Sequence, residues 1–454
     1  MSKFGGMLWA GVVLVSLAAC GGGNDSASSP AAPAAPTTSP SVQYYSDSSQ
    51  IPISGADVPG EAPFDEAAKS LMMQMNAPGL ALAISQGGRL LLARGYGYAD
   101  FEAKTPVQPG SMFRIASLSK MLTSLAVMHL RDQGLLDLDQ KVVGILTDYP
   151  LGPGADPRVQ DITVREMLQH SEGWDGSKVG DFTRQNSLIA QTLGVPSPTN
   201  SADATRYALN QPLQFTPGTA FAYTDVGYTI LGRVIETVTG QSYESYVREQ
   251  VLAPFNVYDM SIGFTQISQR GPFEVKYYPY SGQPLVTSEF PGQGLVPAPY
   301  ATYIARFKSA GGWIASAIDI TRIMQAFDAS LAPSFLSADS LAQVFAQPPY
   351  PSDPSSVAGL WFGLGLAIGP TTATYGHPGD LPGTSASVLH VAQGYTIVVL
   401  MNTNDAGQAD NSGPGEPATR INNAMIQALG SGLTGSPTDL YPQYPSPSLP
   451  ASGQ

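Results

Sequence analysis

The sequence predicts an α/β chain of the α+β type: an antiparallel sheet flanked by helices, with a mostly helical region inserted between its strands. Two observations carry this. Strand pairs joined by glycine turns stand near both ends of the apolar part of the chain, and the stretch between them has helical periodicity. The first pair is residues 79–85 (GLALAIS) and 89–96 (RLLLARGY), turning through Gln86, Gly87 and Gly88, where glycine tolerates the positive φ of a tight hairpin. The second is residues 385–391 (SASVLHV) and 395–401 (YTIVVLM), turning at Gln393 and Gly394. Between them, Leu118, Met121, Leu122 and Leu125 share a helical face and Gly134 follows as a stop. Ile230, Leu231, Val234, Ile235 and Val238 repeat the pattern before Gly240, and residues 243–251 and 318–327 also read as helical.

Composition bounds the function. Of 454 residues, 43% are hydrophobic and 13% charged, too apolar for a disordered chain. A single Cys cannot build a disulfide framework, and four His with no paired spacing leave little for a zinc site, so neither metal nor cofactor is expected. With 22 Lys and Arg against 35 Asp and Glu the net charge is -13, and no basic stripe exists to follow phosphates. Nucleic acid is therefore not an expected partner.

The chain opens like an exported protein. Lys3 precedes an apolar run over residues 7–19 that is short for a membrane span and suits a signal peptide. Leu17-Ala18-Ala19-Cys20 is similar to the bacterial lipobox, in which the signal is cut just before a lipid-bearing Cys. Residues 1–20 are thus expected to be a lipoprotein signal, with Cys20 as the lipidation site and membrane tether. Gly, Ser, Ala, Pro and Thr dominate the next stretch, so residues 21–61 are expected to form a flexible linker. The folded domain is expected over 62–430, followed by a Pro-rich tail over 431–454.

Residues 113–120 (FRIASLSK) contain S-x-x-K at the expected start of an apolar helix. That spacing puts Ser117 and Lys120 on one face, where an amine can perturb or accept the hydroxyl proton. A helix N-terminus also supplies free N-H groups for a developing oxyanion. The motif alone is weak, and its surroundings decide.

Those surroundings comprise Ala77-Pro78-Gly79, residues 162–165 leading to His170-Ser171-Glu172-Gly173, and Thr216-Pro217-Gly218 before Tyr223. They continue through Ala310-Gly311-Gly312, Gly363-Leu364-Gly365 and Gly376-His377-Pro378-Gly379. Together these ordered blocks resemble the serine β-lactamase and penicillin-binding protein superfamily, in its branch of class C β-lactamases, D-Ala-D-Ala carboxypeptidases and family VIII esterases. The resemblance spans about residues 78–402 and implies the β-lactamase/transpeptidase-like fold. It implies Ser117 as nucleophile, with Lys120 and Tyr223 moving its proton; which of the two is the base stays open. It implies an oxyanion hole of the Ser117 and Asp380 N-H groups, and substrate contacts from His377, Gly379 and Asp225.

One position departs from the family. Asp225 stands where the Tyr-x-Asn motif carries an amide. A carboxylate can only accept, so acylamino recognition is weakened and a helix N-cap role stands beside the substrate contact. The third motif, Lys-Thr-Gly or His-x-Gly in the family, corresponds to His377-Pro378-Gly379, and His377 lacks the permanent charge of Lys. Pro378 has no N-H, so its strand is expected at a sheet edge. His170 is expected to pair with backbone, His129 and His390 to be structural, and the aromatics Tyr277, Tyr278, Tyr280, Phe290, Tyr300 and Tyr303 to pack in an irregular loop rather than rim a pocket.

The expected function is an exported, lipid-anchored serine hydrolase of the bacterial envelope, facing the periplasm, with a mild preference for the outer membrane because Gly21 is not Asp. Its partner is a small-molecule or peptide substrate with a scissile acyl group. Ester or peptide cleavage leads, a D-Ala-D-Ala carboxypeptidase or class C-like β-lactamase is the alternative, and a non-catalytic envelope-binding module is the further one. An α/β-hydrolase is disfavoured because the chain has no G-x-S-x-G.

Overall fold

A computed structural model describes residues 38–271, 273–331, 333–350, 359–404, 416–430, 433 and 438–446. The segment carrying the signal and Cys20 lies outside the described residues. Both expected hairpins form, as Gly79–Gln86 with Arg89–Asp100 and Thr384–His390 with Tyr395–Met401. They join edge to edge, because Tyr395–Met401 pairs antiparallel with Gly79–Gln86 from Tyr395↔Gln86 to Met401↔Leu80. Among the described residues the sheet has nine strands and runs, from one edge, Ile53–Ser54, Arg89–Asp100, Gly79–Gln86, Tyr395–Met401, Thr384–His390, Tyr375–Leu381, Ala367–Ile368 and Trp361–Phe362, with Thr105–Pro106 beside Arg89–Asp100. The strands Gly79–Gln86 and Tyr395–Met401 are buried on both faces, which is why they read as continuous apolar runs rather than alternating ones.

The inserted region is helical as expected. Helix Ser119–Asp132 is buried almost all round, so its apolar residues lie deep in the domain. Helix Val226–Thr239 ends at Gly240, whose φ of 70° is the left-handed C-terminal cap that glycine adopts without strain. Residues 243–251 form one helical turn, Tyr243–Tyr246, that continues as the π-helical segment Val247–Leu252. Gly232 lets this region close up: a Cβ there would stand 2.3 Å from the Ser309 hydroxyl, so that buried side chain packs directly on the helix backbone.

The domain is wider than expected at both ends. Residues 38–61 belong to it, not to a linker: Tyr45 is buried and donates to the Pro78 carbonyl at 2.6 Å, Tyr44 packs edge-on against Phe101 at 4.9 Å, and Ile53–Ser54 adds a strand. Residues 438–446 of the expected tail also dock. Leu440 is buried with its N-H on the Leu90 carbonyl at 2.9 Å, Arg322 stacks over Tyr441, and Ser446 donates to Asp259 at 2.6 Å. In both segments isolated aromatic and Leu residues supply the burial, and the surrounding Ser and Pro obscure them in sequence. Tyr277 and Tyr278 are buried, and Phe290 packs on Tyr303 at 5.8 Å, as expected of a packed loop.

Candidate active site

Ser117 does not lie in the long helix. It sits in a 3-10 turn, Ala116–Leu118, that feeds into helix Ser119–Asp132. Ala116 has φ 47°, a left-handed backbone that costs a non-glycine residue on the order of 1 kcal/mol and turns the chain sharply before the serine. The first hydrogen bond of the turn is made by the Leu118 N-H to the Ile115 carbonyl at 3.1 Å, so the Ser117 N-H precedes that ladder.

Lys120 is fully buried, and its ammonium has three oxygen partners: Ser117 Oγ at 3.2 Å, Asp225 Oδ1 at 2.7 Å and the Ala310 carbonyl at 3.0 Å. Its Nζ also stands 4.7 Å from the centre of the Tyr223 ring. The three residues implied as catalytic are therefore together. Burial works to lower the Lys120 pKa, but the Asp225 carboxylate and the Tyr223 phenol outweigh it and hold the group above its ordinary value. Burial raises the Tyr223 phenol, Lys120 draws it down and Asp225 pushes it up, leaving it above the ordinary phenol value. The resting state these shifts favour is ammonium, phenol and carboxylate.

Asp225 stands at the N-cap position of helix Val226–Thr239 but makes no side-chain capping bond, contrary to the capping expectation. Its carboxylate is engaged by Lys120 and, at 3.1 Å, by Arg184. Burial opposes ionisation, yet these two cations hold the carboxyl well below the usual carboxylate range. Its own N-H donates to Asp181 Oδ2 at 2.5 Å. Ion pairing thus displaces capping because a buried ammonium needs a counter-charge more than an exposed-type helix end needs a side-chain acceptor.

His377 lies in the strand Tyr375–Leu381, buried, with Nδ1 2.5 Å from the Pro378 carbonyl and Nε2 without a partner. A carbonyl cannot donate, so Nδ1 carries the proton and Nε2 presents a lone pair. Burial and the Lys120 charge push the imidazole down to about 3, so it is neutral. The strand is internal at Tyr375 and Gly376, which pair with Ala367–Ile368, and becomes an edge from His377 onward, where Pro378 needs no N-H partner. Its free side faces the serine turn. A Cβ on Gly379 would stand 2.6 Å from the Ile115 carbonyl, so only glycine allows this approach. Asp380 follows, its carboxyl raised by burial to about 8 and 3.4 Å from the Ser385 hydroxyl.

A second layer supports Tyr223. The His170 ring lies 4.2 Å from it, centre to centre, and Phe362 packs on both rings at 4.8 and 6.2 Å. His170 accepts from the Thr224 N-H at 3.3 Å, the backbone pairing expected, although its place behind Tyr223 was not. Glu172 accepts from the Thr224 hydroxyl at 2.5 Å and is fully buried, and burial raises its carboxyl to about 8. Arg184 and Glu172 are the site neighbours sequence reasoning passed over. Glu172 was in view within the His170 block, whereas Arg184 carries no local signal.

His129 stacks on Phe335 and meets Gln133 at 2.9 Å, and His390 stacks on Tyr375 and meets Thr396 at 3.0 Å, so neither ring's recorded partners belong to the Ser117 site. Among the described residues, no group of three or more His, Cys, Asp or Glu is placed to hold a metal ion.

A family model described as Beta-lactamase matches residues 64–416. Protein flp of Staphylococcus aureus (strain COL) is 27% identical over 237 residues, which are 52% of this chain and 45% of that protein, so the chain spans about half the length of such relatives. A probable fimbrial assembly protein FimD, serogroup H1, of Dichelobacter nodosus is 27% identical over 69% of this chain and 72% of its own. Similar solved folds include an octameric penicillin-binding protein homologue from Pyrococcus abyssi (TM-score 0.62, 22% identity, 82% of this chain and 78% of that one). They also include EstCE1, a hydrolase with promiscuous acyltransferase activity (0.62, 20%, 80% and 98%), and a D-amino acid amidase from Ochrobactrum anthropi SV3 (0.59, 20%, 80% and 99%).

Proposed function

This chain belongs to the beta-lactamase family, and from that premise we propose that it is an exported serine hydrolase that cleaves an ester or amide through an acyl-enzyme on Ser117. The observation that carries the reading is the buried Lys120 ammonium within reach of the Ser117 hydroxyl and the Tyr223 ring together. Ser117 Oγ attacks the substrate carbonyl as its proton passes into the Lys120–Tyr223 pair. The resulting oxyanion is held by the Ser117 and Asp380 N-H groups, beside the close approach at Gly379. Collapse breaks the bond to the leaving alcohol or amine, which takes the proton. Water then attacks the acyl carbon, gives its proton to the same pair, and releases acid with Ser117 restored. Neutral His377, its Nε2 lone pair unpartnered, is an acceptor for the Tyr223 hydroxyl or for substrate.

Asp225 favours esters and simple amides over acylamino substrates of the β-lactam type. A carboxylate shared by two cations has no N-H to offer a substrate carbonyl. The test is a hydrolysis panel of p-nitrophenyl esters, nitrocefin and D-amino-acid amides, run on the full chain and on Ser117→Ala. Turnover lost in the variant supports the reading. A panel hydrolysed by neither protein favours a binding module instead.

We place the protein at the bacterial envelope, lipid-anchored through Cys20 and facing the periplasm, with the outer membrane preferred. The support is the lone Cys at the end of an apolar leader and a relative named for fimbrial assembly. A Cys20→Ser variant is expected to leave the membrane fraction; one that still partitions there contradicts the anchor.

A further inference from the structure

Arg184 is the partly exposed cation of the site, with a third of its side chain reaching solvent. Three features fix it. Its guanidinium lies 4.6 Å over the buried Phe307 ring, and its Nη2 donates to Asp225 Oδ2 at 3.1 Å. Its own turn, Phe182–Arg184, is capped by Asp181, which accepts from the Thr183 N-H at 2.8 Å and also from the Asp225 N-H. The turn is therefore pinned to the same residue that pairs with Lys120. Among the described residues, Nε and Nη1 of Arg184 donate to no protein group, so a planar donor edge is left over.

We propose that Arg184 is a specificity-determining anchor for a carboxylate on the substrate, so that the enzyme prefers acyl compounds bearing a second, anionic group. Lys120 and Arg184 share the single Asp225 carboxylate, Lys120 on Oδ1 and one guanidinium N-H on Oδ2, so Arg184 lacks a bidentate carboxylate partner of its own. Asp181, the other acid in contact, turns its oxygens to the Thr183 N-H and hydroxyl and to the Asp225 N-H rather than to Arg184. Asp380, on the serine-contacting strand and within electrostatic reach of Arg184, is raised by burial to about 8, favouring a carboxylic acid at neutral pH. His377 is neutral and offers no charge to a substrate anion. A guanidinium already stacked and hydrogen-bonded loses little freedom when a carboxylate docks, so the site is preorganised for one.

The inference rests on the acyl-enzyme reading and names its substrate class. Two matched ester pairs test it on the full chain. One carries the charge on the acyl side, mono-p-nitrophenyl glutarate against p-nitrophenyl valerate, and one on the leaving group, 4-acetoxybenzoate against phenyl acetate. The expected result is a kcat/KM preference for the anionic member of one pair of about tenfold or more, the scale of a charge-assisted hydrogen bond. That ratio should fall toward unity in Arg184→Gln and be partly kept in Arg184→Lys, and free glutarate should inhibit the wild type competitively. The pair that shows the preference identifies the side on which the carboxylate sits. Turnover of neutral esters with no anionic preference in either pair overturns the inference alone. Turnover of no ester at all overturns it together with the acyl-enzyme reading.

Discussion

Asp225 Oδ1 lies 2.7 Å from the buried Lys120 Nζ, and this one contact sets the protonation of the whole site. It stabilises the ammonium and opposes a neighbouring phenolate, so it raises both members of the pair that must accept the serine proton. Activity therefore requires loss of a proton that Asp225 helps to hold, and kcat/KM is expected to climb toward alkaline pH. In Asp225→Asn the ammonium loses its counter-charge and the phenolate loses a repulsion, and both changes lower the pKa. The rising limb of the pH profile should move down by about one unit or more. An unmoved limb, or one displaced upward, contradicts the assignment.

Gly379→Ala tests the contact between strand and nucleophile turn. The new Cβ would meet the Ile115 carbonyl at 2.6 Å and Leu118 Cδ1 at 2.9 Å, and a backbone oxygen cannot swing aside. The strand must back away from Ser117. The expected outcome is about 1–3 kcal/mol of lost stability by urea titration, with turnover reduced by about a hundredfold in protein that remains folded. Full activity in the variant would show that the approach is not needed.

Glu172 ties stability to pH. Its carboxyl titrates near 8 when folded and near the ordinary 4.5 when unfolded, so the folded state holds the proton more tightly. The contribution of Glu172 to stability is then greatest in acid, falls as pH rises between those values, by up to about 1.4 kcal/mol per unit, and levels off above them. Glu172→Gln, which mimics the protonated form, should flatten this decline. Thermal unfolding at pH 5 and pH 8 reads it, and equal slopes in the two proteins would refute the shift.

His170 and Tyr223 form the third pair. The imidazole lies against the phenol ring and takes the Thr224 N-H, so His170→Ala removes the floor under Tyr223. Acting by position, it should lower kcat by about tenfold or more while leaving KM nearly unchanged, and His170→Asn should recover part of the loss through the backbone bond. A loss confined to KM would assign it to substrate binding.

Much of this architecture was legible because its signals are local. Both hairpins announce themselves through glycine turns between apolar runs, and the helix stop at Gly240 through one residue. Ser117 and Lys120 lie one turn apart, so their meeting follows from backbone geometry. Asp225 shows where such reasoning ends. Its position before a helix implied a cap, while its real partners, Lys120 and Arg184, lie 105 and 41 residues away in sequence. The helix start is a local property, whereas the counter-charge for a buried ammonium depends on how three segments converge. The ends of the domain were misread for a related reason: Tyr45 and Leu440 are single apolar residues in polar surroundings, and only their docking sites give them meaning.

The most direct test of the central claim is covalent. The full chain is incubated with a fluorophosphonate or a p-nitrophenyl ester and analysed by intact mass and peptide mapping. One adduct per chain, on Ser117 and absent from Ser117→Ala, is the result expected of a nucleophile primed by Lys120 and Tyr223. An adduct on another residue, or equal labelling of the two proteins, would contradict it.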